Sequence, residues 1–382
     1  MPCPRSQWNV ASHQSSEIDA LAALWRDMAR DSFAGYAPLY EQIILAAADN
    51  PDLVARVLDT PAGAHWSLPL LAATHDLVLS EPGLELAAVY RGASDADPVP
   101  LFLEMVHDRW DEVAERMLTR HIQTNECGRT AVLGPVLTWL AAGTDHPVAR
   151  LDVGTSAGLT LLADRYRLDY GAFGATGPVD SPVVIPCAVT EGLPPIAGEL
   201  PDLAANVGID RDPIDITNEK DRRWLVACTW PGTGRTERTA AALDLAQRHP
   251  PDVREGDAVA DLGAAIATLP DDAAVIITTS WVVGYFDTPT RAAFGQALVE
   301  VARDRPIAWV AMEGAGVADE VAQAAAAEAP HATDRSWDVS VMTVTYLHKT
   351  RAEHRQLGDV HHHGQSMAWR APDAPDELWT TA

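Results

Sequence analysis

The chain predicts an α/β protein with a helical N-terminal part, followed by a doubly wound sheet with an antiparallel end. Three observations carry this expectation. Strand-like alternation is almost absent from the first 120 residues, where apolar residues recur at helical spacing. From residue 151 to residue 328 strand-like and helical segments alternate, as they do when crossover helices join parallel strands. The last two apolar runs, 339–347 and 366–369, have no convincing helix between them, so they are expected to close the sheet antiparallel.

Residues 1–15 are polar and read as a loose arm. From Glu17, the residues Ile18, Leu21, Leu24, Trp25 and Met28 fall on one helix face, and 36–48, 52–58, 67–79 and 84–91 continue as short helices punctuated by Pro and Gly. Residues 99–119 read as one longer helix with Leu101, Phe102, Met105, Val106, Trp110, Val113 and Met117 on its apolar side. The first 120 residues are therefore expected to form a helical domain. Gln123-Thr-Asn-Glu-Cys-Gly-Arg129 opens a helix to residue 142, with Thr124 or Asn125 as its cap. Residues 171–203, rich in Gly and Pro, read as an irregular insertion, followed by a strand over 203–210. The run 224–230 is too apolar for a loop and suits helix or strand. A helix over 235–248, a strand over 251–257 and a short helix over 261–268 come next. The clearest strand is 273–281, β-branched and apolar on both faces as a central parallel strand should be. A helix at 289–303, a strand at 306–312 and a helix at 317–328 precede the closing strands and the polar, His-rich loop expected between them.

At 382 residues the chain has room for a sizeable core and two domains. No apolar run is long enough to cross a bilayer, and the N-terminus lacks a basic segment followed by an apolar one, so a cytoplasmic protein is expected, without a membrane partner. The 54 acidic residues outnumber 28 basic ones, for a net charge of −26, and 35 of the acids are Asp. Only two lysines, Lys220 and Lys349, are present. Such a self-repelling surface is tolerated in concentrated salt, which implies a halophilic protein and argues against a nucleic-acid partner. Cys3, Cys127, Cys187 and Cys228 form no CxxC pair and read as isolated reduced thiols.

The stretch Leu151-Asp-Val-Gly-Thr-Ser-Ala-Gly158 runs a strand into a small-residue turn, after which an amphipathic helix is expected at once. Such a turn directs backbone N–H groups and a helix N-terminus at a polar or anionic ligand. Two chemistries share the pattern. Asp152-x-Gly154-x-x-x-Gly158 resembles the first motif of class I S-adenosylmethionine-dependent methyltransferases, and Gly154-x-Ser156-x-Gly158 resembles the nucleophile elbow of α/β-hydrolases. A plain packing turn is the third reading. An elbow normally follows several strands, whereas about 150 mainly helical residues come first here, and no His-Gly-Gly oxyanion segment is present. Asp287 and His363 leave a triad with Ser156 open.

Over residues 121–382 the chain resembles class I methyltransferases further, which implies a Rossmann-like domain with an insertion at about 171–203 and S-adenosylmethionine as cofactor. By that resemblance Asp210, in Gly208-Ile-Asp, ends the second strand and binds the ribose hydroxyls. Asp257, in Gly256-Asp-Ala, lies near the adenine amino group, and the loop 281–285 faces the substrate. The gap from Gly158 to Asp210 exceeds the usual spacing of about 20 residues, which keeps Asp180 as a substitute. Arg129 is expected beside the turn, pairing with the cofactor carboxylate. The cofactor-binding candidates are thus Arg129, Asp152, Gly154, Ser156, Gly158, Asp210 and Asp257.

The whole chain also resembles an uncharacterised bacterial and archaeal family known only as domain of unknown function 2332. That resemblance rests on Gln123-Thr-Asn-Glu with Arg129, Gly154-Thr-Ser-Ala-Gly-Leu with Asp164-Arg-Tyr166, Gly208-Ile-Asp with Pro213-Ile-Asp215, Trp224-Leu, Trp230-Pro and His363-Gly364. It implies no activity. Candidate catalytic groups on the substrate side are Glu126, Tyr285, Glu313 and His363. Glu313 reads either as a substrate-side carboxylate or as an exposed strand end. His361, His362 and His363, with His348 and His354, lack metal-ligand spacing and read as solvent-facing, so no metal is expected. The expected activity is methyl transfer from S-adenosylmethionine to a small-molecule substrate; the alternatives are a serine esterase built on the glycine turn and a non-catalytic nucleotide-binding protein.

Overall fold

The computed structural model describes residues 13–329, 339–375 and 379 and shows a mixed α/β protein. Two compact units make it up. One comprises the chain up to Thr124 together with Asn218–Ala240, the other Asn125–Thr217 with the chain from Ala241 onward. Cys3 and the rest of the expected N-terminal arm up to residue 12 lie outside the described residues.

The first unit is helical, as its apolar spacing predicts. Pro38, Pro51 and Pro98 each open a helix, where a missing N–H costs nothing, and the Asn50 and Asp97 side chains accept from Leu53 N and Val99 N. Trp25, Phe33, Tyr40, Ile43 and Leu70 fill its core, with Trp230 set edge-on to Phe33 at 4.8 Å between ring centroids. The expected single helix 99–119 is two, Pro98–Asp108 and Trp110–Thr119, broken at Arg109, which leaves helical backbone at φ −121 and ψ 30. Of the ambiguous run 224–230, residues 224–227 end the helix Glu219–Ala227 and 228–230 lie beyond it; Trp224 Nε1 donates to the His121 carbonyl at 2.8 Å. Inside this unit the buried Asp76 accepts from both Arg116 and Arg223 at 2.8 Å.

The second unit carries twelve strands among its described residues: β1 (Val148–Val153), β2 (Arg167–Asp169), β3 (Ala175–Thr176), β4 (Val184–Pro186), β5 (Ala188–Glu191), β6 (Leu203–Asp210), β7 (Asp252–Glu255), β8 (Ala274–Ser280), β9 (Ile307–Glu313), β10 (Val339–His348), β11 (Arg351–His361) and β12 (Ser366–Trp369). Nine form one sheet in the order β5-β12-β11-β10-β9-β8-β1-β6-β7. The block from β9 to β7 is parallel, and β10 pairs antiparallel with β9. From β1 the chain builds outward through β6 and β7, then returns to lay β8 on the other side of β1. The topological switch point therefore lies between β1 and β8, and their C-terminal ends border the crevice where open α/β sheets bind ligands. This is the Rossmann-like arrangement.

Alternation along the parallel strands gives the sheet two different faces. Leu151, Val153, Val207, Ile209, Val275, Ile277 and Trp309 share an apolar cluster with Leu262, Phe294, Leu298 and Val321 of the helices packed on them. Arg150, Asp152 and Thr278 alternate with these residues and face the other way, where they form a buried polar network.

Three expectations change. No amphipathic helix follows the glycine turn: Leu159–Arg165 is a kinked 3₁₀ segment, and Leu159 through Ala163 are buried. The supposed His-rich loop is mostly β11, an eleven-residue strand pairing with β10 and β12. Its polar residues suit a strand because Arg351, Glu353 and Arg355 share one face and pair along it, Glu353 Oε1 with Arg351 at 2.6 Å and Oε2 with Arg355 at 3.0 Å. The insertion is not wholly irregular either; β2, β3 and β4 form a small sheet and β5 extends the main one beside β12. Within the helix Thr130–Ala141, Pro135 has no N–H for the Ala131 carbonyl, and the Tyr170 hydroxyl donates to that carbonyl instead at 2.8 Å.

Candidate functional site

Where β1 ends, the chain passes through three left-handed residues, Gly154 at φ +73, Ser156 at +55 and Gly158 at +73. A Cβ on Gly154 would stand 2.3 Å from Val282 Cγ2, and one on Gly158 2.6 Å from Val253 Cγ2, so both glycines are set by close approach as well as by φ. Gly154 N and Thr155 N both donate to the Ile209 carbonyl, at 2.8 and 3.2 Å, which clamps the turn to β6. Ser156 has a Cβ, and its left-handed conformation costs about 1–2 kcal/mol. Its amide is held there by Asp210 Oδ2 at 2.7 Å.

Asp210 ends β6, and its other oxygen, Oδ1, accepts from Asp212 N at 2.9 Å. It pairs in register with Glu255 of β7, and its carbonyl accepts from Gly256 N at 2.9 Å, so Asp257 follows at the same C-terminal edge. Asp257 Oδ1 accepts from Val259 N and Ala260 N, and Oδ2 from Arg211 at 2.8 Å. Those backbone amides, with Arg211 beyond them, hold its carboxyl below the usual carboxylate range. Asp180 is an exposed residue of the insertion, whereas Asp210 is the acid bonded to the turn.

Arg129 is buried at the end of β8. Its Nε donates to the His362 carbonyl at 3.1 Å and its Nη1 to the Ser280 carbonyl at 2.8 Å. Ser280 follows Thr279, which pairs in register with Val153, so this guanidinium lies by the strand that carries Gly154. Neither Thr124 nor Asn125 caps the segment around Arg129. Glu126 does, through Oε1 to Gly128 N at 2.8 Å, while Asn125 Oδ1 accepts from Leu159 N at 2.9 Å and so closes the 3₁₀ segment after the glycine turn. The helix N-terminus expected there to face a ligand is thus replaced by a side-chain cap.

Glu313 is not an exposed strand end. It is fully buried, with Oε1 accepting from Val282 N and Val283 N at 3.1 and 3.2 Å and Oε2 from Gly284 N at 3.2 Å. Burial pushes its carboxyl up, against the three amides and Arg129, which favour the charge. Its observed task is to hold the loop after β8. On that loop Tyr285 is 80% exposed, while Trp281, at φ +56, donates from Nε1 to Ser340 Oγ at 2.8 Å. Asp152 is 3% exposed, and its two oxygens accept from Arg150, Thr278, Thr155 and Thr160. It braces the turn from inside.

Two of the three adjacent histidines are not solvent-facing. His362 and His363 are buried, His361 stacks on His362 at 4.4 Å between centroids, and Trp281 stands edge-on to His362 at 6.1 Å. The tight turn after them is fixed by Gly364 at φ +76, where a Cβ would come within 2.0 Å of the Gly128 carbonyl. His354 is elsewhere on β11, bonded to Thr345 at 2.8 Å and Asp319 at 3.1 Å. Among the described residues no group of His, Cys, Asp and Glu is placed to hold a metal ion. Asp287 caps the helix Thr288–Val301 through Thr290 N at 2.9 Å. Cys127, Cys187 and Cys228 are buried free thiols, and burial pushes Cys187 and Cys228 up to about 12.

The C-terminal edge therefore gathers Gly154, Ser156, Gly158, Asp210 and Asp257, with Arg129 and Glu313 on the β8–β9 side. Arg150, Thr155 and Thr160, which organise the turn through Asp152, were missed from the sequence. A charged residue two positions before Asp152 in an apolar strand is the signal that finds them.

The chain belongs to the family described as an uncharacterized protein conserved in bacteria (DUF2332), whose family profile matches residues 22–369. No curated protein matches it. No described helix is long and apolar enough to cross a membrane.

Proposed function

We propose that the second unit binds S-adenosylmethionine at the C-terminal edge of its parallel strands and transfers the methyl group to a small-molecule acceptor. One observation carries this reading: at the C-terminal edge, next to the switch point between β1 and β8, the glycine turn after β1 and the carboxylate ending β6 are joined directly, Ser156 N to Asp210. The donor set suits a nucleoside with a charged amino-acid tail. Each Asp210 oxygen accepts one backbone amide and keeps acceptor capacity for the ribose hydroxyls. Asp257 stands at the next strand end for the adenine amino group, and Arg129 places positive charge on the β8 side for the carboxylate. S-adenosylmethionine supplies an electrophilic methyl group. The chain's residues bind, orient and exclude water, which accounts for catalysis by alignment and needs no strong base when the acceptor is already nucleophilic.

Calorimetric titration of the full chain with S-adenosylmethionine, S-adenosylhomocysteine and ATP tests this. Saturable binding of the first two that is lost in Asp210→Ala supports it. Selective binding of ATP indicates a different nucleotide-binding protein, and no binding of any of the three overturns the cofactor assignment.

The left-handed Ser156 favours a second reading, because a nucleophile elbow also strains its serine in this way. A fluorophosphonate probe separates the two. In the methyltransferase reading Ser156 is not labelled, and Ser156→Ala keeps cofactor affinity within about tenfold, one ordinary hydrogen bond. Covalent labelling at Ser156 establishes the esterase instead.

A further inference from the structure

The segment 171–198 presents an outer surface almost without charge. Seventeen of its 28 residues are exposed, and only three of these, Asp180, Thr190 and Glu191, have polar side chains; the others are Gly, Ala, Pro, Val, Leu and Phe. Val179 is 84% exposed and Leu193 78%. No Lys, Arg or His stands in the segment, and Glu191 is paired with Arg370 at 2.9 Å, which leaves Asp180 as the one further charge. Soluble chains rarely gather so many exposed apolar residues without covering them.

These residues belong to one folded piece of the second unit. β2, β3 and β4 share a sheet, Thr176 Oγ1 and Gly177 N donate to the Ala197 and Gly198 carbonyls at 2.6 and 2.9 Å, and a Cβ on Gly174 would stand 3.9 Å from Ile196 Cγ2. Cys187 N donates to the Asp169 carbonyl and Ala188 N to the Gln365 carbonyl, both at 2.8 Å, so the chain passes directly from the small sheet into the main one. Along this passage Val183, Ile185 and Cys187 are buried while Val184, Pro186 and Ala188 are exposed, which turns an apolar ridge outward. Pro178, Pro182 and Pro186 fix the backbone in advance, so little ordering remains to be done on docking.

The occupant follows from charge and from the sheet edge. β5 ends the main sheet, with β12 on one side only among the described residues, and β7 ends it on the other. β7 reads Asp-Val-Arg-Glu, with the charges that keep a foreign strand away from an edge. β5 reads Ala-Val-Thr-Glu, and its one charge is met by Arg370. Because Ala188 N points to β12, Val189 N points to the open side. A chain of net charge −26 repels its own copies over an acidic surface, and an uncharged surface is where two copies meet without that penalty. A two-fold axis sets such an edge antiparallel to itself, so the same patch serves both partners.

We propose that this surface is the interface of a symmetric homodimer, in which a second copy of the chain covers it with its own segment 171–198 and β5 lies antiparallel to β5. The proposal does not depend on what binds at the glycine turn.

Sedimentation equilibrium of the full chain in molar KCl tests it. The expected mass is twice the 41.0 kDa of one chain. Val184→Asp/Leu193→Asp, at two exposed positions, sets like charges face to face across the axis and should raise the dimer dissociation constant by roughly a hundredfold or more, with an unchanged circular dichroism spectrum. Leu118→Asp, exposed on the helical unit, should leave the dimer intact. Flotation with phosphatidylcholine vesicles probes the other covering that an apolar surface can take. A monomer at micromolar concentration, a dimer that survives in the double variant, or monomers carried up by the vesicles overturns the proposal.

Discussion

Asp210 accepts the Ser156 amide at 2.7 Å across 54 residues of chain, and thereby fixes the one serine of the glycine turn in a left-handed conformation. The bond joins the ends of β1 and β6, neighbours at the C-terminal edge of the parallel block. Its partner oxygen takes Asp212 N at 2.9 Å, so the two acceptors serve two different donors.

Asp210→Ala should therefore destabilise the chain by about 1.5–3 kcal/mol, the range for hydrogen bonds to a charged acceptor. Asp210→Asn offers one acceptor but sets its NH₂ against the second amide, so it should recover only part of the loss. Urea denaturation of the three proteins checks the order. Asn equal to wild type would show that only one of the two bonds matters.

Gly154 should tolerate no side chain while Val282 is present. Ala at φ +73 costs about 1–2 kcal/mol, and pressing a Cβ into Val282 adds about 1–3 kcal/mol of overpacking. Val282→Ala in the Gly154→Ala background should return the overpacking part and leave the backbone part. A double-mutant cycle reads the coupling; additive effects would mean that the loop after β8 moves aside without cost.

His75 gives the helical unit an acid limit. Burial holds its imidazole down to about 4 from the usual 6.5, with Nδ1 3.1 Å from the Ala227 carbonyl. Between these two values the unfolded chain binds the proton and the folded one does not. Stability is therefore complete above pH 6.5 and falls as pH drops toward 4, by about 3 kcal/mol at 1.36 kcal/mol per pH unit. His75→Gln, neutral throughout, should remove that slope. The check is the difference between the wild-type and variant denaturation midpoints from pH 7 to 4; parallel curves would exclude His75 as the cause.

With a net charge of −26 the chain should lose structure as salt is withdrawn, because self-repulsion is screened within about 3 Å in molar salt and about 30 Å in 0.01 M. Circular dichroism in falling KCl should show unfolding. Equal stability in dilute buffer and molar salt would sink the halophilic reading.

Much of the parallel block was legible in the sequence, since β-branched runs such as Val275–Thr279 and small-residue turns such as Gly154–Gly158 are local patterns set by propensity and φ. Glycines that permit a left-handed turn, and an acid that follows an apolar run, announce themselves within a few residues. What the sequence could not fix was pairing. Arg351–His361 reads as a polar loop because a strand with charges along one face has no apolar alternation, and only β10 and β12 on either side make it a strand. Glu313 reads as an exposed end until the loop after β8 folds its three amides onto it. The helix expected after Gly158 is a kinked 3₁₀ segment, and its first amide, Leu159 N, is met by Asn125, 34 residues upstream, a partner no local pattern shows. The sequence by itself thus determined which segments are apolar, which turns need glycine and that the surface is acidic. The tertiary structure alone decided that Glu313 is spent on the amides of the loop after β8 and that Asp210 joins the glycine turn, because those bonds join residues tens of positions apart and exist only once the strands are in register.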